Sequence, residues 1–229
     1  MLSADDWTAI ALSLRIAVVA TAASLPFGIA MAYALARWRF PGKALLNGIV
    51  HLPLVLPPVV TGYMLLLGFG RRGLFGPTLA DLGIVLSFRW TGAALACAVM
   101  GFPLMVRAIR LSFEAIDRRI EAAAGSLGAS PAWTFALISL PLALPGIMVG
   151  AILAFARSLG EFGATITFVS NIPGETQTIA AAIYSDTQSP DGDAAALRLT
   201  LVSIIISLVA VMLSDALQRG VEKRLAAPR

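Results

Sequence analysis

Cysteine, histidine and charge are scarce in this chain, and each scarcity removes a class of function. The one cysteine, Cys97, lies inside an apolar run, so no intramolecular disulfide forms and the thiol reads as a small packing residue. The one histidine, His51, has no Cys or Glu nearby, which argues against a metal cage and leaves an interfacial residue before a proline-rich stretch. No G-x4-G-K-[ST] phosphate loop occurs, because Gly42 and Lys43 lack the preceding glycine and the following hydroxyl. The chain is therefore not expected to hydrolyse ATP itself. Neither a solenoid-period repeat, a low-complexity tract nor a linker divides it, so 1–229 reads as a single domain. Charged residues make up 13% of the 229, against roughly 25% in a soluble domain.

What fills the chain instead is apolar: 58% of residues are hydrophobic and the mean hydropathy is +0.85. A span of a hydrocarbon core roughly 30 Å thick needs about 20 such residues in a helix. Five stretches qualify, at 9–36, 45–68, 92–106, 142–168 and 199–217, the third being short enough to recruit 84–88 or 109–113. The expectation is an all-α integral membrane protein in the lipid bilayer. Asp5 and Asp6 stand where a cleavable signal would be basic, so the first apolar run is expected to be retained as the targeting signal.

Seventeen Lys and Arg against thirteen Asp and Glu leave a net charge of +4. These basic residues are scattered among loops without interleaved aromatics, which argues against nucleic acid as a partner. Their distribution orients the spans, since Lys and Arg favour the cytoplasmic side. Arg37, Arg39 and Lys43, then Arg107, Arg110, Arg118 and Arg119, then Arg219, Lys223, Arg224 and Arg229 all fall inside if five helices alternate. Arg71, Arg72 and Arg89 fall outside and are outnumbered. The amino terminus is expected in the periplasm and the carboxyl terminus in the cytoplasm. Arg15, near the outer end of the first span, is expected to snorkel toward headgroups. Pro26, Pro53, Pro57, Pro58, Pro103, Pro145, Gly160 and Gly163 interrupt the spans, a pattern that suits a moving pathway although such residues are common in membrane helices generally.

The most informative segment is the polar loop at about 109–141. From Asp117 it reads D-R-R-I-E-A-A-A-G-S-L-G, with Ile116, Ile120, Ala123 and Leu127 at helical spacing. Gly128 supplies a left-handed helix end, and Ser130 with Pro131 supplies an N-cap and first-turn proline for a second helix. Ala123 and Ala124 permit close approach of another surface, and Glu121 offers an acceptor for an arginine, with Arg118 one turn earlier as one available partner. Ile138, Leu140 and Pro141 return the chain to the bilayer.

E-A-A-x3-G-x9-I-x-L-P, read through Ala123, Ala124, Gly128, Ile138, Leu140 and Pro141, resembles the cytoplasmic signature of membrane subunits of binding-protein-dependent ABC importers. One departure stands out: Ala122 occupies the acid position and Glu121 lies one residue early, similar to the E-x-A-A-x3-G form of the molybdate branch. F-P-G-K-A-L-L over 40–46, L-P-L-V-L-P-P-V-V over 52–60, F-P-L-M-V-R-A-I-R-L over 102–111 and R-S-L-G-E-F-G-A-T-I-T-F-V-S-N-I-P-G-E-T over 157–176 extend that branch resemblance over most of the chain. It implies a type I ABC importer transmembrane domain with about five transmembrane helices and a cytoplasmic coupling helix pair, in the bacterial inner membrane. It implies as partners a second copy of the chain, two ATPase subunits carrying the ATP and Mg2+, and a periplasmic molybdate-binding protein, with no cofactor or metal held by this chain. It also makes Glu121, Ala123, Ala124, Gly128, Ile138, Leu140 and Pro141 the ATPase-coupling residues. Sulfate, thiosulfate or tungstate remains an alternative cargo on the same scaffold. An ion-gradient-driven anion carrier would call for mid-membrane acid clusters and inverted repeats, and neither is seen.

Arg157 and Glu161 would lie about 22 Å and 28 Å into a fourth span that starts at Leu142. Four residues apart, they form either a charge-neutralising intrahelical pair or part of an outer gate. A carboxylate repels a dianion, so Glu161 is expected to gate or brace rather than bind. Thr165 and Thr167 offer hydroxyls to a passage, unless their own backbone takes them.

Overall fold

The computed structural model describes residues 2–226, with side chains at 214, 215 and from 217 onward outside the described set; the tail residues Arg219, Lys223, Arg224 and Arg229 therefore lie outside it. All regular structure among the described residues is helical. In chain order it runs α1 (Ala4–Arg37), α2 (Lys43–Val55), α3 (Pro58–Phe69), α4 (Gly76–Asp81), α5 (Trp90–Ala115), α6 (Arg118–Ser126), α7 (Pro131–Thr134), a π-helical turn (Phe135–Ser139), α8 (Leu140–Leu142), α9 (Leu144–Leu159), α10 (Gly163–Val169), α11 (Ile179–Thr187) and α12 (Asp193–Ala226).

Three helices, α1, α5 and the Asp193–Leu213 part of α12, are long and apolar enough to cross a bilayer unbroken. Two bent helix pairs have the length and apolar character of a crossing when taken together: α2 and α3 meet at 115°, and the Pro131–Leu142 stretch meets α9 at 68°. Among the described residues the chain is thus multi-pass, with three continuous spans, or five where each bent pair makes one crossing. The third span takes up the residues beyond 106 and ends at Ala115. The fourth differs from a continuous 142–168 helix, because α9 stops at Leu159 and the chain restarts as α10.

The prolines divide into two groups. Pro57 and Pro58 stand at the α2/α3 bend, where Pro58 occupies the first turn of α3 and needs no N–H partner. Pro26, Pro53 and Pro103 lie inside continuous helices, contrary to their reading as interruptions. In lipid the freed carbonyl finds local compensation and an unfolded segment has no water to turn to, so a single proline leaves a membrane helix intact.

Helix α1 is the spine. Its start is fixed by a reciprocal cap in which Ser3 N–H donates to Asp6 Oδ2 (2.8 Å) and Asp6 N–H donates to Ser3 Oγ (3.1 Å). At 34 residues and 1.5 Å per residue it runs about 50 Å and carries three apolar clusters in succession. Ala9 and Ile10 pack with Ile179, Ala182 and Leu199. Leu12, Ile16 and Ala20 pack with Leu65, the first turns of α5, and Phe168 and Val169 of α10. Ala32, Leu35 and Ala36 pack with Val50, Met105, Ile109, Phe113, Ile116, Ala143 and Ile147. Since Val50 of α2 lies in the last cluster and Leu65 of α3 in the middle one, the bent pair still advances from one end of the bundle toward the other.

Small residues let the helices approach, as in membrane bundles generally. A Cβ on Gly101 would sit 3.2 Å from Ala154 of α9, and one on Gly150 would sit 2.8 Å from Ile109 of α5. Helix α5 is thereby held between α1 and α9. Exposed Arg15 also finds a partner within the chain, its guanidinium carbon lying 3.8 Å from the centroid of the Trp90 ring at the start of α5. Buried Cys97 points its thiol at the Ser158 carbonyl (3.6 Å), in keeping with a packing role. His51 Nδ1 bonds the Asn47 carbonyl of its own helix at 2.8 Å.

Candidate functional site: an elbow and a broken outer segment

The elbow begins where α5 ends. Ile116 is buried and anchors the joint, then Asp117 caps α6 by accepting from Arg119 N–H at 2.9 Å. At the far end Gly128 adopts φ +88°, Gly128 N–H donates to Gly125 O and Ala129 N–H donates to Ala124 O, both at 3.0 Å. This paired bonding closes the helix with a left-handed glycine, the geometry expected of Gly128 from sequence. Ser130 then accepts from Trp133 N–H (3.4 Å) and Pro131 opens α7. Two short helices meet at a sharp turn, each with a side-chain cap at its start.

The two faces of the elbow differ. Ala124 is buried, while Ala123, Gly128 and the large apolar side chains of Ile120, Leu127, Trp133 and Leu137 face outward, Leu127 being 88% exposed. Ile116 alone of the apolar stripe on this helix is covered by the chain itself. Ile138 is half-buried, Leu140 packs against the third cluster of α1, and Pro141 is exposed in the first turn of α8. The route from elbow to membrane therefore passes through the π-helical turn and the 68° bend before α9.

Glu121 points inward. Its Oε1 accepts from Arg37 Nε at 3.1 Å and from Ser139 Oγ at 2.7 Å, while Arg37 Nη2 also donates to the Ile116 carbonyl at 3.1 Å. The acid's partner is thus Arg37 at the end of α1, not Arg118. Directly beneath, Tyr33 meets Phe113 and Phe135 edge to face, with centroids 5.3 Å and 4.7 Å apart. Sequence reading missed Arg37 and Ser139 because their common partner is 84 and 18 residues away. Nearby, Arg110 joins Glu114 (2.7 Å) and Asn47 Oδ1 (2.9 Å), tying α2 to α5 at this end of the bundle.

The second cluster lies at the break between α9 and α10. Glu161 is 1% exposed and follows the helix-ending Gly160. One carboxylate oxygen accepts from Ala164 N–H at 2.8 Å, and the other lies 2.7 Å from Arg157 Nη2 as an ion pair without hydrogen-bond alignment. The carboxylate braces the break from both sides and has no open face for an anion. Thr165 donates to Phe162 O and Thr167 to Gly163 O, each at 2.9 Å, so both hydroxyl protons are taken by local backbone. Helix α10 lies tight against α3: a Cβ on Gly62 would sit 2.5 Å from the Ala164 carbonyl oxygen, and one on Gly163 would sit 2.8 Å from Pro58.

Glu161→Gln keeps the shape and the acceptor for Ala164 but removes the charge facing Arg157. Because Arg157 is 28% exposed, the loss is expected at about 1 kcal/mol, below the range for a fully buried pair. Thermal unfolding of the detergent-purified protein checks this, and a stability equal to wild type removes the bracing role.

Residues 24–227 match the family model described as binding-protein-dependent transport system inner membrane component. The chain is 56% identical to the molybdenum transport system permease protein ModB of Escherichia coli, over 96% of each chain. It is 54% identical to the ModB protein of Haemophilus influenzae, over 95% of this chain and 96% of that one. Among solved structures it resembles a chain of a bacterial alginate ABC transporter in complex with an alginate-bound periplasmic protein, with a TM-score of 0.76 at 17% identity, covering 96% of this chain and 80% of that one. At that identity the likeness speaks for the fold, an importer-type all-α transmembrane domain.

Proposed function

The chain belongs to the family of binding-protein-dependent transport system inner membrane components, and on that premise we propose that it is the permease subunit of an ATP-driven importer that moves molybdate across the bacterial inner membrane. It works within a multi-subunit ABC importer as the translocating component and not as an enzyme. The cargo follows from relatives that share more than half of their residues with it over nearly their whole length. Residues 1–229 act as one transmembrane domain, paired with a second copy because five crossings are few to enclose a conduit alone. Two ATPase subunits bind ATP and Mg2+, and a periplasmic molybdate-binding protein delivers the anion.

The observation that carries the mechanism is the elbow. An apolar surface of Ile120, Leu127, Trp133 and Leu137 beside small Ala123 and Gly128 lies at one end of the bundle, held firmly from within. Such a surface supports docking in a groove of a separate protein. Ile138, Leu140 and Pro141 lead from it into the fourth span, and Glu121 and Ala124 hold it from inside. Movement of the ATPase is thereby passed to the bent spans, which alternate between outward-open and inward-open arrangements: the loaded binding protein and ATP favour the first, hydrolysis and release return the second. Basic residues at the elbow end support its placement in the cytoplasm, with the amino terminus in the periplasm. Arg157, Glu161, Thr165 and Thr167 belong to the outer gate as a brace, given the burial of Glu161 and the local bonding of both threonines.

Reconstitution with the ATPase and binding protein in vesicles, with radiolabelled molybdate outside, tests the reading. ATP-dependent accumulation resistant to excess sulfate is the expected result. Equal competition by sulfate would move the cargo to the sulfate branch, and accumulation without the ATPase under an ion gradient would overturn the importer reading.

A further inference from the structure

We infer that Arg37 is a positioning residue for energy coupling: with Glu121 and Ser139 it forms a strut that fixes the elbow to the first span and carries movement of α6 into α1. This deepens the reading of the elbow as an ATPase contact and rests on it.

The displaced acid is the first ground. One residue along a helix is about 100° of rotation, so an acid at 121 faces a different direction from one at 122. Ala122 and Ala123 are exposed, whereas the side chain of Glu121 is only 17% exposed and that of Arg37 is 8% exposed. The shift takes the charge off the outer face and gives it to the chain's own arginine. The outer face of α6 is left with the exposed Arg118 and Arg119 and no carboxylate.

The second ground is what the arginine joins. Through Glu121 and the Ile116 carbonyl, Arg37 links the end of α1 to the α5/α6 joint and to α6, and Ser139 adds the last residue of the π-helical turn. Ser139 is fully buried, so its hydroxyl has little access to water as a substitute partner. A π-helical turn holds one residue more than its α-helical equivalent, and tightening it would rotate the following residues by about 100°. Ser139 meets Glu121 only while that extra residue is accommodated. Tyr33, Phe113 and Phe135 interlock beneath the strut and tie α1, α5 and the π-helical turn by packing. The Arg110/Glu114 pair, 29% and 39% exposed, lies within α5, and through Asn47 Arg110 reaches α2 but neither α1 nor the elbow.

The test uses the full complex in vesicles and reads molybdate taken up per ATP hydrolysed. Arg37→Gln is expected to assemble with the ATPase and to hydrolyse ATP, while uptake per ATP falls about tenfold, within the range of coupling free energies. Arg37→Lys keeps the charge but not the fork that reaches both Glu121 and Ile116, and is expected to restore about half of the ratio. Ser139→Ala, which leaves the ion pair in place, is expected to lower the ratio in the same direction by a smaller factor. That variant decides the matter if Arg37→Gln fails to insert. An unchanged ratio in these variants, or uptake and hydrolysis falling in proportion, overturns the strut. Crosslinking from Leu127→Cys in the otherwise wild-type complex separates the two levels: no crosslink to the ATPase overturns the elbow reading itself, whereas a crosslink with an unchanged ratio in Arg37→Gln overturns the strut alone.

Discussion

Gly62→Val is expected to yield almost no foldable permease, and Gly62→Ala to lower the thermal midpoint by about 10 °C, equivalent to roughly 3 kcal/mol in a chain of this size. The reason lies in the backbone. A Cβ at position 62 would come within 2.5 Å of the Ala164 carbonyl oxygen and 2.9 Å of its Cα, and neither atom can swing aside as the tip of a side chain would. Moving Ala164 means moving α10, whose first turn is tied to Glu161 and whose Phe168 and Val169 are fully buried in the middle cluster of α1. Gly68 is the matched control on the same helix, since a Cβ there meets nothing within 4 Å. Gly68→Ala should leave the midpoint unchanged. Equal midpoints for Gly62→Ala and Gly68→Ala would mean that α3 and α10 do not touch as described.

Leu127→Asp is expected to abolish uptake while leaving the isolated permease folded. With 88% of its surface exposed, Leu127 contributes little to the stability of its own chain. At the tip of the elbow it is placed as the kind of apolar anchor whose loss costs an interface about 2 kcal/mol, some 30-fold in affinity, and a buried carboxylate would add to that. Pull-down of the ATPase by the detergent-solubilised variant, beside thermal unfolding of the permease alone, separates the two contributions. Retained binding would take Leu127 out of the contact.

Where the signals were local, the sequence was legible. Gly128, Ser130 and Pro131 specify a turn through their own backbone preferences and hydrogen-bonding groups, and they form it. Apolar run length likewise announced the crossings. What escaped was set by distant contacts. Arg15 has only lipid or water as visible partners in sequence, yet the fold brings Trp90 beneath it. Glu121 had Arg118 one turn away, and the longer-range Arg37 prevailed because it is more buried and bonds Ile116 as well. Pro26 and Pro103 looked like breaks of the same rank as Pro57 and Pro58, yet both lie inside continuous helices, Pro26 on an exposed face and Pro103 deeply buried, so local compensation in the helix and not burial is their common ground. The break at Gly160 was signalled by glycine, but not the role of Glu161, since a carboxylate that caps a restarted helix and pairs an arginine behind it looks the same in sequence as one that lines a passage.

The unbroken course of α1 sets a mechanical boundary condition. A helix about 50 Å long that runs unbroken through Pro26 is placed to pass along a displacement applied at Arg37. A tilt given to the Arg37 end would be felt at the opposite end, where Ala9 and Ile10 meet α11 and α12. The surrounding hydrocarbon, only about 30 Å deep, then serves as the fulcrum.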